Sequence, residues 1–171
     1  MSQLEGFSEL FKQAFVDELH SARAKIVHCL NQLSDNQIWW RPREDMNSIA
    51  NLILHLSGNV RQWIVSGVGG TSDNRDRPRE FSERSPLTRQ ELSLRLKATV
   101  QEASQVILTA TQNRLEARLS IQGFAVSGVE AILHSIAHFR GHTQEIVHLT
   151  RLQLDSNYIF DFVPTTPEQG A

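Results

Sequence analysis

The stretch Ile132-Leu133-His134-Ser135-Ile136-Ala137-His138-Phe139-Arg140-Gly141-His142-Thr143-Gln144-Glu145-Ile146 carries two helical periods at once. Ile132, Ile136, Phe139, Thr143 and Ile146, continued by Thr150, recur every three or four residues and form one stripe along a helix. His134, His138 and His142 form a second row at i, i+4 and i+8, stacked on one face with a slow angular drift. The pattern predicts a helix from about Ser127 to Leu154.

A stripe that long must be buried against something, and three other segments carry matching stripes. From Leu4 to Leu33 the apolar positions are Phe7, Leu10, Phe11, Phe15, Leu19, Ala22, Ile26, Leu30 and Leu33, with Lys12, Asp17, Ser21 and Lys25 on the other side. A second helix begins near Asn47 or Ser48, good N-cap residues, and runs through Ile49, Leu52, Ile53, Leu56, Val60 and Ile64 to Gly67, Gly69 and Gly70. A third covers about Thr88 to Asn113, with Leu92, Leu96, Val100, Ala103 and Ile107 in line. Between the first two, Pro42 forbids a continuous helix through Trp39-Trp40, a pair that reads as a plug for one end of a bundle. The mixed-charge run from 71 to 85 reads as a long surface connection, with Pro86 near the start of the third helix. Residues 115 to 124 alternate weakly, as a short extended crossover does. Four such helices bury their stripes best against one another. The fold class is therefore all-α, a four-helix bundle whose long connections leave room for helices to cross over.

Composition narrows the rest. The 171 residues fit one domain, and the formal charge of −2 argues against a nucleic-acid partner, which needs clustered cations. The single cysteine, Cys29, cannot close an internal disulfide and has no cationic cluster or Cys-x-x-Cys around it, so it reads as a structural thiol. No apolar run approaches the ~20 residues of a membrane span, and the first residues lack the basic start and apolar core of a signal peptide. A cytoplasmic protein with no membrane partner is the expectation.

The chemistry lies in the histidines. Two imidazoles at i and i+4 can face one divalent cation, with metal–nitrogen distances of about 2.0–2.1 Å. A row of three cannot all reach it, being about 12 Å long at 1.5 Å per residue. Two of them should be ligands, and a third ligand must come from another helix. His55 sits in the apolar half of the second helix, one turn from Leu52 and Asn59, facing the core. A buried imidazole has two nitrogens to satisfy, and a metal plus one hydrogen bond does so.

At this point the sequence resembles a known family. Asn47-Ser48-Ile49-Ala50-Asn51-Leu52-Ile53-Leu54-His55-Leu56-Ser57-Gly58-Asn59, followed by Trp63, is similar to the second helix of the DinB/YfiT-like superfamily. His138-Phe139-Arg140-Gly141-His142-Thr143-Gln144-Glu145-Ile146-Val147 resembles its closing motif, usually His, three residues, His, then Thr-Gly-Gln-Ile-Val. The resemblance implies one DinB-like bundle over residues 1–171, with a short irregular tail from about 155. It also implies a divalent metal on His55, His138 and His142, and it raises the expectation of a homodimer.

Where many relatives have Gly-Gln, this chain has Gln144-Glu145. Three residues past His142, Glu145 is a candidate to orient an imidazole, to act as a catalytic general base, or merely to face solvent. His134 is expected beside the site rather than on the metal. Asn59 is a candidate to hydrogen-bond water or substrate there, and Trp63, two turns from His55, to wall a pocket. His20, His28 and His148 read as surface residues.

Three neutral histidines leave coordination positions open, as catalytic sites do. Through the resemblance, the leading expectation is a metal-dependent enzyme of the thiol-dependent S-transferase or isomerase type, acting on a small-molecule substrate with a low-molecular-weight thiol. The alternatives are a hydrolase using metal-activated water and a non-catalytic, stress-associated metal-binding protein. The ligand set suits zinc, nickel, iron or manganese.

Overall fold

The structure is a computed structural model that describes residues 3–84 and 87–162. Pro86 and the chain beyond 162 lie outside the described residues. Within them four long helices are joined by three short ones and one hairpin. The elements are α1 (Gln3–Gln32), α2 (Asp35–Trp39), α3 (Ile49–Val60), α4 (Arg77–Ser82), α5 (Arg89–Thr109), α6 (Gln112–Glu116), β1 (Arg118–Ile121), β2 (Phe124–Ser127) and α7 (Gly128–Leu154). A π-helical stretch, Arg61–Val68, extends α3. No helix among the described residues is long and apolar enough to cross a membrane.

Side-chain caps fix the helix starts. Ser48 accepts from the Asn51 N–H at the head of α3, while Thr88 with Glu91 and Ser127 with Glu130 form capping boxes on α5 and α7. Helix α1 packs on α5 and α7, and α3 packs on the same two, so the cyclic order is α1–α5–α3–α7. The connections from α1 to α3 and from α5 to α7 therefore cross the bundle diagonally, the crossover expected from their length. Helix α3 is covered almost all round. Leu52, Ile53, Leu56 and Val60 are fully buried, and so are Ile26, Leu96, Val100, Ile132, Phe139 and Ile146 from the other three helices.

The structure corrects the sequence reading in several places. The first turns of the α1 stripe are largely bare, with Phe7 61% and Leu10 71% exposed. Helix α5 stops at Thr109, and Thr111 caps the separate short helix α6. The alternating stretch is half of an antiparallel hairpin, β1 with β2. Its turn holds Gln122 at φ 52° and Gly123 at φ 81°, both in the left-handed region that a two-residue hairpin of the I′ kind requires. At the bundle end Ile38 is buried and Trp39 donates its indole N–H to the Leu87 carbonyl at 2.9 Å, but Trp40 is exposed. Residues 158–161 lie over α1, where Tyr158 is buried and the Ile159 carbonyl accepts from His28 Nε2 at 2.7 Å. His28 is thus half-covered rather than a free surface residue, whereas His20 and His148 are exposed as expected. Cys29 is fully buried, and burial raises its thiol pKa. The largest departure is in the mixed-charge run, whose described residues 71–84 contain α4 and close over α3.

Candidate metal centre

His55 projects from the middle of α3, and His138 and His142 from successive turns of α7, the helix beside it. One ring nitrogen from each lies within 4.8 Å of the other two. The ring centroids are 5.0 Å apart for His55–His138, 5.2 Å for His55–His142 and 4.5 Å for His138–His142. The closest approach is Nε2 to Nε2, 2.8 Å, between His55 and His138. Two nitrogens each about 2.0–2.1 Å from one ion are about 2.9 Å apart at a right angle and about 3.4 Å apart at a tetrahedral one. The His55–His138 pair already has that spacing, and the group of three could hold a divalent cation once the rings close on it.

The outer nitrogens support the same fit. His55 Nδ1 lies 2.9 Å from Glu80 Oε2, and His142 Nδ1 lies 2.7 Å from Glu145 Oε2. Each carboxylate accepts the Nδ1 proton, leaving Nε2 as the donor available to a metal, the arrangement common for metal-binding histidines. The two pairs differ in burial. The His55 and Glu80 side chains are 6% and 9% exposed, but those of His142 and Glu145 are 25% and 41% exposed. Burial first, and then repulsion from His142, His55, His134 and Arg75, push His138 down to about 4. Its ring is therefore uncharged at neutral pH, as a ligand must be. Burial acts to raise the Glu80 carboxyl, but hydrogen bonds from Arg75 and His55 outweigh it and hold it below the usual carboxylate range.

Arg75 clamps Glu80 with two bonds, Nε to Oε1 at 2.7 Å and a terminal NH2 to Oε2 at 2.8 Å. The same NH2 lies 3.1 Å from His55 Nδ1, and the other terminal nitrogen donates to Gln62 Oε1 at 2.9 Å. Gln62 also accepts from Gln122 at the hairpin turn and donates to Asp73 Oδ2 at 2.6 Å. Helix α4 is docked by buried Asn51, whose Nδ2 donates to the Glu80 and Glu83 carbonyls at 2.8 and 3.2 Å. Gly58 lets it come close: a Cβ there would stand 1.9 Å from Glu80 Oε1. Phe81 covers the His55 ring, centroid to centroid 4.8 Å.

The remaining residues singled out from sequence lie around this centre. His134 is outside the three-nitrogen group. Its exposed ring runs parallel to His138 at 6.1 Å and packs on Trp63 at 4.1 Å. Trp63 is buried, and its indole N–H has no hydrogen-bond partner among the described residues. Asn59 is buried between α3 and α7, where its Oδ1 accepts from Ser135 Oγ at 3.0 Å. Sequence reading missed Glu80, Arg75 and Gln62. One signal for α4 was present, Asp76 followed by Arg77-Pro78, since an acidic cap with proline in the first turn starts helices.

The fold is that of a DinB-like helical bundle. The family described as "protein of unknown function (DUF1572)" matches residues 6–166, and the chain belongs to that family. Among solved structures, a conserved protein from Enterococcus faecalis is similar at TM-score 0.70 and 17% identity, covering 82% of this chain and 95% of its own. A DinB-like protein, YjoA, from Bacillus subtilis is similar at TM-score 0.65 and 15% identity, covering 86% and 96% respectively. At such identities the likeness carries the fold alone. No curated protein matches the chain at a significant level.

Proposed function

We propose that this chain is a divalent-metal-dependent enzyme that joins a low-molecular-weight thiol to a small electrophile, or isomerises their adduct, as a homodimer in the cytoplasm. The observation that carries the reading is the convergence of three imidazole nitrogens from two helices within 4.8 Å, two of them backed by carboxylates. Three neutral donors leave positions open for a substrate, and zinc, nickel, iron or manganese suits them. A divalent cation held there would supply Lewis acidity, lowering the pKa of a thiol or of water placed on it.

The side chains favour a thiol over water as the group activated. A free thiol ionises near pH 8.5 and needs little help at neutral pH, whereas water is a far weaker acid and gains more from a nearby base. Both carboxylates at the cluster, Glu80 and Glu145, are already engaged with imidazole Nδ1–H groups. On this reading Glu145 orients His142, and His134 with Trp63 forms an aromatic wall beside the open side of the site.

Metal analysis of untagged protein, followed by turnover assays with bacillithiol, mycothiol or glutathione and an electrophile, tests the proposal. Bound metal with thiol-dependent turnover is the expected result. Turnover with water alone would make the chain a hydrolase. Bound metal with neither turnover nor thiol binding would leave a metal-binding protein.

A further inference from the structure

We propose that Gly141 is a specificity-determining position: it leaves a strip of α7 bare beside His138 and His134, and an apolar group carried by the electrophile lies on that strip. The inference rests on the metal-dependent reading above. It starts from an energetic oddity. Gly141 is the midpoint of a 27-residue helix, where glycine is less favourable than alanine because it gives up more backbone freedom on folding. A residue of that kind needs a compensating reason, and the chain's own packing supplies none.

Other glycines show what such a reason looks like. A Cβ at Gly58, Gly67, Gly69 or Gly128 would stand between 1.9 and 2.5 Å from a neighbouring atom. Gly70 and Gly123 have φ of 78° and 81°, a conformation that side chains disfavour. Gly141 has neither feature. Its φ is not positive, and a Cβ there meets nothing within 4 Å among the described residues beyond the backbone of its own helix. Alanine would fit without strain.

The open space has a defined place. Gly141 precedes His142 and is three residues past His138, so it shares their stretch of α7. Helix side chains lean toward the N-terminus, so one at 141 would cover the turn that carries Ala137 and His138. This is also the accessible side of the cluster: His55 is buried beneath Phe81, whereas His138 and His142 are only half-buried. The strip is bordered by exposed Ala137 and by the exposed His134 ring, which lies parallel to His138 at 6.1 Å and backs onto Trp63. Its chemistry is apolar, because the backbone polar groups are paired inside the helix and the neighbouring charges are engaged elsewhere. Arg140 pairs with Glu18 of α1 at 3.4 Å, and Glu145 with His142 Nδ1 at 2.7 Å. Such a surface suits an uncharged aliphatic or aromatic group, not the carboxylates and ammonium groups of a small thiol, which assigns it to the electrophile.

Acetohydroxamate and benzohydroxamate serve as probes, since both ligate zinc through the same two oxygens and differ in the apolar group. Calorimetric titration into zinc-loaded protein compares the wild type with Gly141→Leu, which fills the strip. The variant should bind benzohydroxamate about tenfold more weakly, the scale of leaving part of a phenyl ring in water, and acetohydroxamate less than about threefold more weakly. Its zinc affinity, by chelator competition, should be unchanged. Gly141→Ala should raise Tm by about 2–4 °C, as expected where the fold itself has no need of glycine. Equal effects on the two probes, or none, would overturn the proposal. So would an alanine variant that melts no higher than the wild type, because the glycine would then have a structural reason. A Gly141→Leu protein that keeps both probes but halves in solution mass would place the residue in a contact between copies, and would overturn it too. If the wild type takes up no zinc, the metal reading and this inference fall together; zinc uptake with unselective probes removes this inference alone.

Discussion

Gly58→Ala is the sharpest perturbation of the site that leaves every histidine and carboxylate in place. On helical propensity alone it should stabilise α3, by about 0.5–1 kcal/mol. The structure argues the opposite sign. The added methyl would stand 1.9 Å from Glu80 Oε1, 2.8 Å from Glu80 Cδ and 2.9 Å from Arg75 Nε. Restoring ordinary contact requires the carboxylate to retreat by about 1.5 Å, more than enough to lose its 2.9 Å bond to His55 Nδ1. A flexible carboxylate in solvent would swing away at little cost, but this one is 9% exposed and doubly bonded to Arg75. Breaking a buried pair outright costs about 3–5 kcal/mol, and part of that is recovered where Glu80 and Arg75 move together. A net destabilisation of about 1–3 kcal/mol is expected, or about 3–10 °C in Tm for a chain of this size. With His55 no longer oriented, zinc affinity should drop about ten- to a hundredfold. Thermal melting and chelator competition on one preparation measure both. An alanine variant with wild-type affinity and an unchanged or higher Tm would refute the reasoning, because the pair would then be free to yield.

Three further predictions follow from the same geometry. His142→Ala should lose bound metal and any turnover while keeping a folded bundle, by metal analysis and circular dichroism, since apolar burial rather than an ion holds these helices; His20→Ala, on an exposed face, should change neither. Glu145→Gln should lower metal affinity by about tenfold if Glu145 orients His142, and should instead slow turnover about a hundredfold at unchanged affinity if it is a general base; titration and kinetics on the one variant separate these, and no change in either retires any role for it. Light scattering at micromolar concentration should return twice the 19.4 kDa chain mass, and Phe7→Ser with Leu10→Ser should lower that value if the exposed end of α1 forms the contact; a wild-type mass near 19 kDa would exclude the dimer.

What the sequence made legible was what repeats. The stripes of α3, α5 and α7 predicted their helices to within a few residues at most ends, since a buried face recurs at 3.6 residues whatever its neighbours are. The three candidate ligands were legible for the same reason: His138 and His142 are one turn apart, and His55 interrupts an apolar run. The α1 stripe was equally regular, yet Phe7 and Leu10 are bare. Periodicity reports which face is apolar, and what packs against that face decides how much of it is covered.

The part that went unread is the part that is not periodic. Arg75 and Glu80 sit in a run of alternating charges whose composition is that of a solvated loop, and most of their neighbours, including Asp76 and Arg79, are indeed exposed. What buries these two is a set of single contacts made across the fold: Asn51 taking two carbonyls of the α4 segment, Gly58 leaving room for a carboxylate, and Gln62 holding the far side of Arg75. Each supporting residue lies on α3 or its π-helical extension, within about two turns of His55. The chain therefore builds its most buried candidate ligand from two pieces, a helix that carries the imidazole and a charged connection that folds back to hold its outer nitrogen. A histidine at an apolar position announces the first piece. The second is announced only by what is small or polar on the helix beside that histidine, where a bundle core alone would place larger apolar side chains.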